Sequence, residues 1–94
     1  MSAESALLAA FAAQLGPIRT RGYQAVPWCS ATFSGARHFF RIETDAMADI
    51  DAFTRDIAET EIVIPCGFVA DITAICQVSE NVRQIDIEAL TINA

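Results

Sequence analysis

The sequence predicts a small α+β domain in which an antiparallel sheet of three to four strands carries two helices on one face. Residues 66–93 alternate apolar and mixed side chains at the two-residue period of β-strands. Residues 2–15 and 44–59 instead repeat apolar side chains at the three- and four-residue spacings of amphipathic helices. A chain of 94 residues is long enough for one such domain with a limited core.

The pattern of residues 2–15 predicts that this segment is the first helix. Ser2 or Ser5 is placed to cap the free amide groups at its start. Gly16 and Pro17 end the helix, because proline cannot continue the helical hydrogen bonds. The apolar stripe of this helix consists of Leu7, Leu8, Phe11 and Leu15.

The next part of the chain predicts a connector followed by β structure. The connector covers residues 16–27, and the β structure covers residues 28–44 with an interruption at 34–37. The β segment is either a hairpin of two strands or one long strand bent at a glycine bulge. The side chains that alternation directs toward the core are His38, Phe40 and Ile42.

Residues 44–59 predict the second helix, with Thr44 or Asp45 as its N-terminal cap. Asp51 and Arg55 stand four positions apart, a spacing that contributes about 0.3–0.5 kcal/mol at a helix surface. The apolar face of this helix consists of Met47, Ile50, Phe53 and Ile57.

Two strands follow the second helix, one short and one long. Residues 62–64 predict the short strand, which the sequence Pro-Cys-Gly at 65–67 closes. In the long strand, residues 68–78, even-numbered side chains are expected to face the core and odd-numbered side chains to face outward.

A turn at residues 79–81 leads into the last strand, residues 83–93. The apolar positions of this strand change faces near Glu88 and Ala89, which predicts a bulge or the end of regular burial. From residue 37 onward the element order is strand, helix, strand, strand, which fits a ferredoxin-like, split βαβ plan. We expect one domain over residues 1–94, and element order alone does not indicate a function.

The charge of the chain argues against binding to nucleic acids. The chain has twelve carboxylates and six arginines, so its net charge is −6 and phosphates would be repelled. Residues 1–42 carry a net charge of +3, whereas residues 43–94 carry −9. These parts form complementary patches within one fold or across a dimer, unless the carboxylates are only solvated.

The composition predicts a soluble, self-associating protein. Apolar residues make up 53% of the chain, above the ordinary ~45–50%, and a small domain cannot bury all of them. A homo-oligomer would cover the excess, although much of it is alanine, which is tolerated at a surface. No signal peptide or membrane span is visible, and the three cysteines suggest no disulfide framework, so we expect a cytoplasmic protein without membrane contact.

The strongest candidate ligand site lies in residues 37–41. Arg37 and Arg41 share a strand face with Phe39 between them, a pattern that suits a small anion, since guanidinium groups bind carboxylate or phosphate. The other interpretation is salt bridging to Glu43 or to the acidic part of the chain. His38, the only histidine, is either a proton carrier near neutral pH or a half-buried side chain with one hydrogen bond.

Cys66 is a candidate reactive thiol, because Pro-Cys-Gly predicts an exposed turn. Cys29 and Cys76 fall within apolar strand patterns and are expected to be small buried groups. No cysteine or histidine pair stands at metal-ligand spacing, and no phosphate loop or nucleophile motif is visible, so we expect no metal and no cofactor.

The sequence therefore favours a non-catalytic interaction or ligand-binding module that self-associates through an open sheet face, with a small anion or another protein as a further partner. The alternative is a small enzyme or accessory subunit that uses His38 together with Arg37 or Arg41.

Overall fold

Five antiparallel strands and two short helices form the protein in a computed structural model that describes residues 2–45, 48–79 and 82–94. The strands lie in the order β1-β2-β5-β4-β3, and the sheet curls into a half-barrel. In chain order, the elements are α1 (Ala3–Leu15), β1 (Ile18–Cys29), β2 (Ser34–Asp45), α2 (Ile50–Asp56) with a 3-10 turn (Ile57–Glu59), β3 (Val63–Ile64), β4 (Gly67–Ser79) and β5 (Val82–Asn93).

The α+β class is confirmed, but the ferredoxin-like plan with three to four strands is wrong. The segment 16–27, predicted as a connector, supplies most of β1, and β1 pairs with β2 along its whole length. A split βαβ unit joins two parallel strands that have one strand between them, whereas here α2 joins β2 to β3, which are antiparallel and separated by β5 and β4. The sheet therefore has a fifth strand and a different order.

The helices pack against one face of the sheet, which we call the inner face; the opposite face is the outer face. Because side chains alternate along each strand, every strand contributes to both faces. The buried core between helices and sheet consists of Ala6, Leu7, Phe11, Leu15, Phe40, Ile42, Ile50, Phe53, Ile57, Ile62, Ile64, Ile72, Ile85, Ile87 and Ala89.

Helix α1 forms as the sequence predicts. The Ser5 N–H donates to the Ser2 Oγ over 3.1 Å, so Ser2 is the cap. At the other end Gly16 has φ 81°, a left-handed conformation that glycine adopts without strain, and its N–H donates to the Ala12 carbonyl. No helix in the described part of the chain is long and apolar enough to cross a membrane.

Strands β1 and β2 form a hairpin, the first of the two predicted alternatives, but its turn lies at 30–33 and not at 34–37. Ser30 closes the turn: its N–H donates to the Phe33 carbonyl, and its Oγ accepts the N–H groups of Thr32 and Phe33. Gly35 lies inside β2, opposite Ile92 of β5. The glycine thus serves close strand packing, and no turn occurs there.

Helix α2 begins at Ile50 with Asp49 as its cap, later than predicted. The reason is tertiary, because Thr44 and Asp45 still pair with β5 as part of β2. The buried face is confirmed for Ile50, Phe53 and Ile57, whereas Met47 lies outside the described residues. Arg55 pairs with its neighbour Asp56 at 3.1 Å, and no pair with Asp51 is present.

The short strand β3 and the long strand β4 are confirmed, with Pro65 and Cys66 as the turn between them. The predicted inward row of β4 holds at Ile72, Ala74 and Cys76, which lie in or against the core. It fails at Phe68, which is 51% exposed, and at Ala70, which is also exposed, because a bulge between Val69 and Asp71 reverses the faces. Val78 projects to the inner side but is 68% exposed, so it is not part of the core either.

The predicted irregularity in β5 is absent. Burial alternates without a break through Ile85, Ile87, Ala89 and Thr91, so no change of face occurs near Glu88 and Ala89. The extra residue sits on the partner strand β4, where it leaves the register of β5 intact. The predicted turn at Glu80 and Asn81 lies outside the described residues.

Candidate functional site

The four candidate ligand residues of β2 lie on two different faces of the sheet. Arg37, Phe39 and Arg41 are exposed on the outer face, whereas His38 is 5% exposed and faces inward. The cause is the two-residue period of a strand, which separates neighbouring side chains. His38 therefore does not share a pocket with either arginine.

His38 belongs to a buried hydrogen-bonded chain on the inner face. The Tyr23 hydroxyl lies 2.8 Å from His38 Nδ1, and the Thr91 Oγ1 lies 3.0 Å from His38 Nε2. The Thr91 hydroxyl donates to the Ala36 carbonyl. Its oxygen therefore accepts from the Nε2–H, and the Tyr23 O–H donates to Nδ1. Both ring nitrogens are satisfied in the neutral form, which makes this histidine a structural core residue.

Burial lowers the pKa of His38 below its ordinary value, and the nearby carboxylate of Glu4 opposes the shift. The Tyr23 pKa is raised, first by burial and then by the same carboxylate. Both shifts favour the neutral forms of the two side chains. Tyr23 and His38 are therefore both uncharged at neutral pH, which suits their packing against Phe40.

We expect the domain to lose stability as the pH falls below about 6.5, the ordinary histidine pKa. The unfolded chain then binds a proton at His38 that the folded chain resists until its lower pKa is reached, so the stability is complete above 6.5 and declines below it. Urea unfolding at pH 7.5 and pH 5.0 measures this loss. In the His38→Gln variant the decline should be smaller by at most about 1.4 kcal/mol per pH unit. Equal declines in both proteins would contradict the assignment.

The outer face carries ion pairs that cross from strand to strand. Arg41 Nε lies 3.1 Å from Asp86 Oδ1, and Arg37 pairs with Glu88 at 3.8 Å. Both pairs are well exposed, so each contributes little to the stability of the fold. They remain free to exchange partners at an interface, and they partly neutralise the arginines that the sequence suggests for an anion.

The charges of the outer face divide along the middle of the sheet. The β1–β2 half presents four arginines and two carboxylates, which are Arg19, Arg21, Arg37, Arg41, Glu43 and Asp45. Among the described residues of the β5–β4 half, the outer positions carry three carboxylates and no arginine: Asp71, Asp86 and Glu88. The face is therefore electrically asymmetric about the line between β2 and β5.

A cleft of about 480 Å³ opens along β1, β2 and β5, across the line that divides the charges. Gly22, which has no side chain and follows the bulge between Thr20 and Gly22, is part of its lining. Arg21, Arg41 and Asp86 lie at its walls together with Phe39. The part of this cleft that β1 contributes is not predictable from the sequence pattern, because residues 16–27 lack the strict apolar alternation of a half-buried strand.

Cys66 lies in the β3–β4 turn, exposed and in a left-handed conformation with φ 58°. Its turn adjoins Gly67, which pairs with Asn93, whereas His38 pairs with Ala89. Asn93 and Ala89 are four residues apart on β5, so the turn and His38 are separated by roughly 13 Å along the strands. The structure thus does not bring the candidate thiol to the histidine.

The other two cysteines differ from each other in burial. Cys29 is exposed at the end of β1, so the prediction that it is buried is wrong. Cys76 is half-buried, and burial raises the pKa of its thiol, which disfavours the reactive thiolate. Within residues 2–45, 48–79 and 82–94, no three potential ligand side chains are grouped to hold a metal ion.

Comparison with known proteins adds no relative. No protein-family model, no curated protein and no solved structure matches the chain.

Proposed function

We propose that this chain is a non-catalytic interaction module that self-associates through the outer face of its sheet. The observation that carries the proposal is the division of that face into a positive β1–β2 half and a negative β5–β4 half. A surface whose two halves attract each other is complementary to a second copy of itself, as a two-fold symmetric interface requires.

The symmetry axis follows from the charge pattern. An axis parallel to the strands, between β2 and β5, lays the β2 strand of each copy over the β5 strand of the other. Arg41 pairs with Asp86 within one chain, so it then faces Asp86 of the second copy. Gly35 pairs with Ile92 in the same register, so it faces Ile92 of the second copy and leaves room for that side chain.

Exposed apolar side chains on the outer face favour association, because an interface would bury them. Phe39 lies between the two arginines with 38% of its surface exposed, and Val26 is 40% exposed on the neighbouring strand. Burying such side chains contributes about 25 cal/mol per Å² of apolar area. The ion pairs then supply orientation and specificity more than affinity.

A charge exchange between two variants tests this arrangement. Arg41→Glu alone places carboxylates against Asp86 of the other copy, and Asp86→Arg alone places guanidinium groups against Arg41. Each substitution should weaken association through the outer face at least about tenfold. An equimolar mixture should regain the affinity, because both contacts of the heterodimer join opposite charges. Sedimentation equilibrium of the two variants and their mixture measures the effect.

The matched control uses the exposed ion pair of α2. Arg55→Glu and Asp56→Arg alter charges of the same kind away from the outer face, and their separate and mixed samples should behave like the unaltered chain. A strict monomer at high micromolar concentration, or a mixture that regains no affinity, would refute the proposal. Circular dichroism of each variant verifies that the fold is retained.

A further inference from the structure

The free edge of β4 is a second surface that the fold leaves unpaired. β3 pairs only with Gly67 and Phe68, so within the described residues the remaining part of β4 forms a ladder with β5 alone. A strand edge of this kind presents backbone N–H and C=O groups that can pair with another chain. Residues 72–79 contain no charge, no proline and no glycine, so nothing in this stretch blocks such pairing.

The opposite edge of the sheet is protected by contrast. β1 carries a bulge at Arg21, a second arginine at Arg19 and a proline at Pro27. Bulges, charges and prolines are the features by which edge strands avoid pairing with other chains. In the described part of the sheet, residues 72–79 of β4 lack these protecting features, whereas β1 has them.

Exposed apolar side chains concentrate at the same edge. Ile75 is 67% exposed and Val78 is 68% exposed, and they stand on opposite faces of β4. A partner strand that pairs with this edge would flank both side chains. Contact with the outer face alone would leave Val78 uncovered, because Val78 points to the inner side of the sheet.

We propose that β4 pairs antiparallel with β4 of a second copy, with Ile75 on the two-fold axis, so that two sheets join into one. In a continuous sheet, residues directly opposite each other must project to the same face. With Ile75 on the axis, Ile75 meets its own counterpart on the outer side, and Val78 meets Ile72 of the other copy on the inner side. Both exposed apolar side chains then gain apolar neighbours. Moving the axis to Ala74 or Cys76 instead places Ile75 against Thr73 or Gln77.

A cleft beside the edge supports this register. It has a volume of about 270 Å³ and lies between the segment 58–63 and the first half of β4, with Ile72 in its lining. Val78 of the second copy would enter the sheet next to this cleft. The absence of charge in residues 72–79 also means that two copies of the segment meet without like charges facing each other, despite the net charge of −6.

This interface is independent of the outer-face interface and uses different residues. The outer-face axis places Ile75 opposite Gly22 of the second copy, so two Ile75 side chains come together only through the edge. Val78 projects to the inner side and takes part only in the edge interface. The two proposals can therefore succeed or fail separately.

Disulfide trapping tests the register directly. Ile75→Cys is introduced into a chain carrying Cys29→Ser, Cys66→Ser and Cys76→Ala, and the protein is oxidised at micromolar concentration. Opposed residues in an antiparallel pair have Cα atoms about 4.5–5.5 Å apart, which suits a disulfide. We expect most of the chain to run as a covalent dimer, and to do so equally when Arg41→Glu is added to weaken the outer-face interface.

Two controls make the result decisive. Thr73→Cys in the same background is also at an exposed position on the same face, but its counterpart lies four residues away along the strand, so it should yield at least about tenfold less covalent dimer. In sedimentation experiments on chains that also carry Arg41→Glu, Val78→Lys should weaken edge association at least about tenfold, whereas Val63→Lys, at an 82% exposed position on β3, should not. Equal trapping at positions 73 and 75, or an unaltered association of Val78→Lys, would overturn the proposal.

Discussion

Replacing Phe11 with alanine is expected to lower the free energy of unfolding by about 3–5 kcal/mol, the usual cost of removing a buried aromatic ring. Phe11 is completely buried at the centre of the core, where α1 meets the sheet and α2. Its ring makes edge contacts with Phe40 at 5.3 Å and Phe53 at 6.1 Å between centroids. The substitution removes the contacts of α1 with the sheet and with α2 at once. Urea denaturation followed by circular dichroism measures the loss.

Phe33 provides the matched control. It is 52% exposed in the turn between β1 and β2, and the turn is closed through its backbone carbonyl and N–H, which alanine retains. Phe33→Ala should therefore change the stability by no more than about 0.5 kcal/mol. Similar losses in the two variants would mean that the core is not centred on Phe11.

Replacing Gly35 with alanine is expected to lower the free energy of unfolding by about 2–4 kcal/mol, in the upper range for overpacking. An added Cβ would lie 1.9 Å from the Thr91 carbonyl oxygen and 2.9 Å from its carbon. These are backbone atoms of β5, so no side-chain rotation relieves the overlap, and the β2–β5 pairing must separate locally. Thermal and urea unfolding measure the loss, and amide exchange at Thr91 and Ile92 should rise with it.

Gly22 in β1 is the control for this substitution. There an added Cβ meets only the Cβ of Arg41, at an ordinary van der Waals distance of 3.8 Å. Gly22→Ala should leave the stability unchanged or raise it by about 0.4–1 kcal/mol, because alanine restricts the unfolded chain. If both alanine variants were equally stable, the close approach of β2 and β5 at Gly35 would be disproved.

The sequence predicts which face of the sheet each candidate residue of β2 occupies, but it does not predict the partners of these residues. Alternation in β2 correctly places His38 inside, and the same alternation requires Arg37 and Arg41 to lie outside. What the sequence does not reveal is their surroundings. Asp86 and Glu88 reach the two arginines only because β5, more than forty residues away in the chain, pairs beside β2.

Local patterns by themselves determined α1, the buried face of α2, the long strand β4 and the inward row of β2, because each depends on spacing within one segment. Only the tertiary structure decided that residues 18–27, predicted as a connector, belong to a strand. Exposed edge strands need no apolar alternation when a neighbour supplies the hydrogen bonds. Strand order, the bulge in β4 and the division of charge on the outer face arise from pairing between distant segments, and hydrophobic periodicity carries no information about such partners.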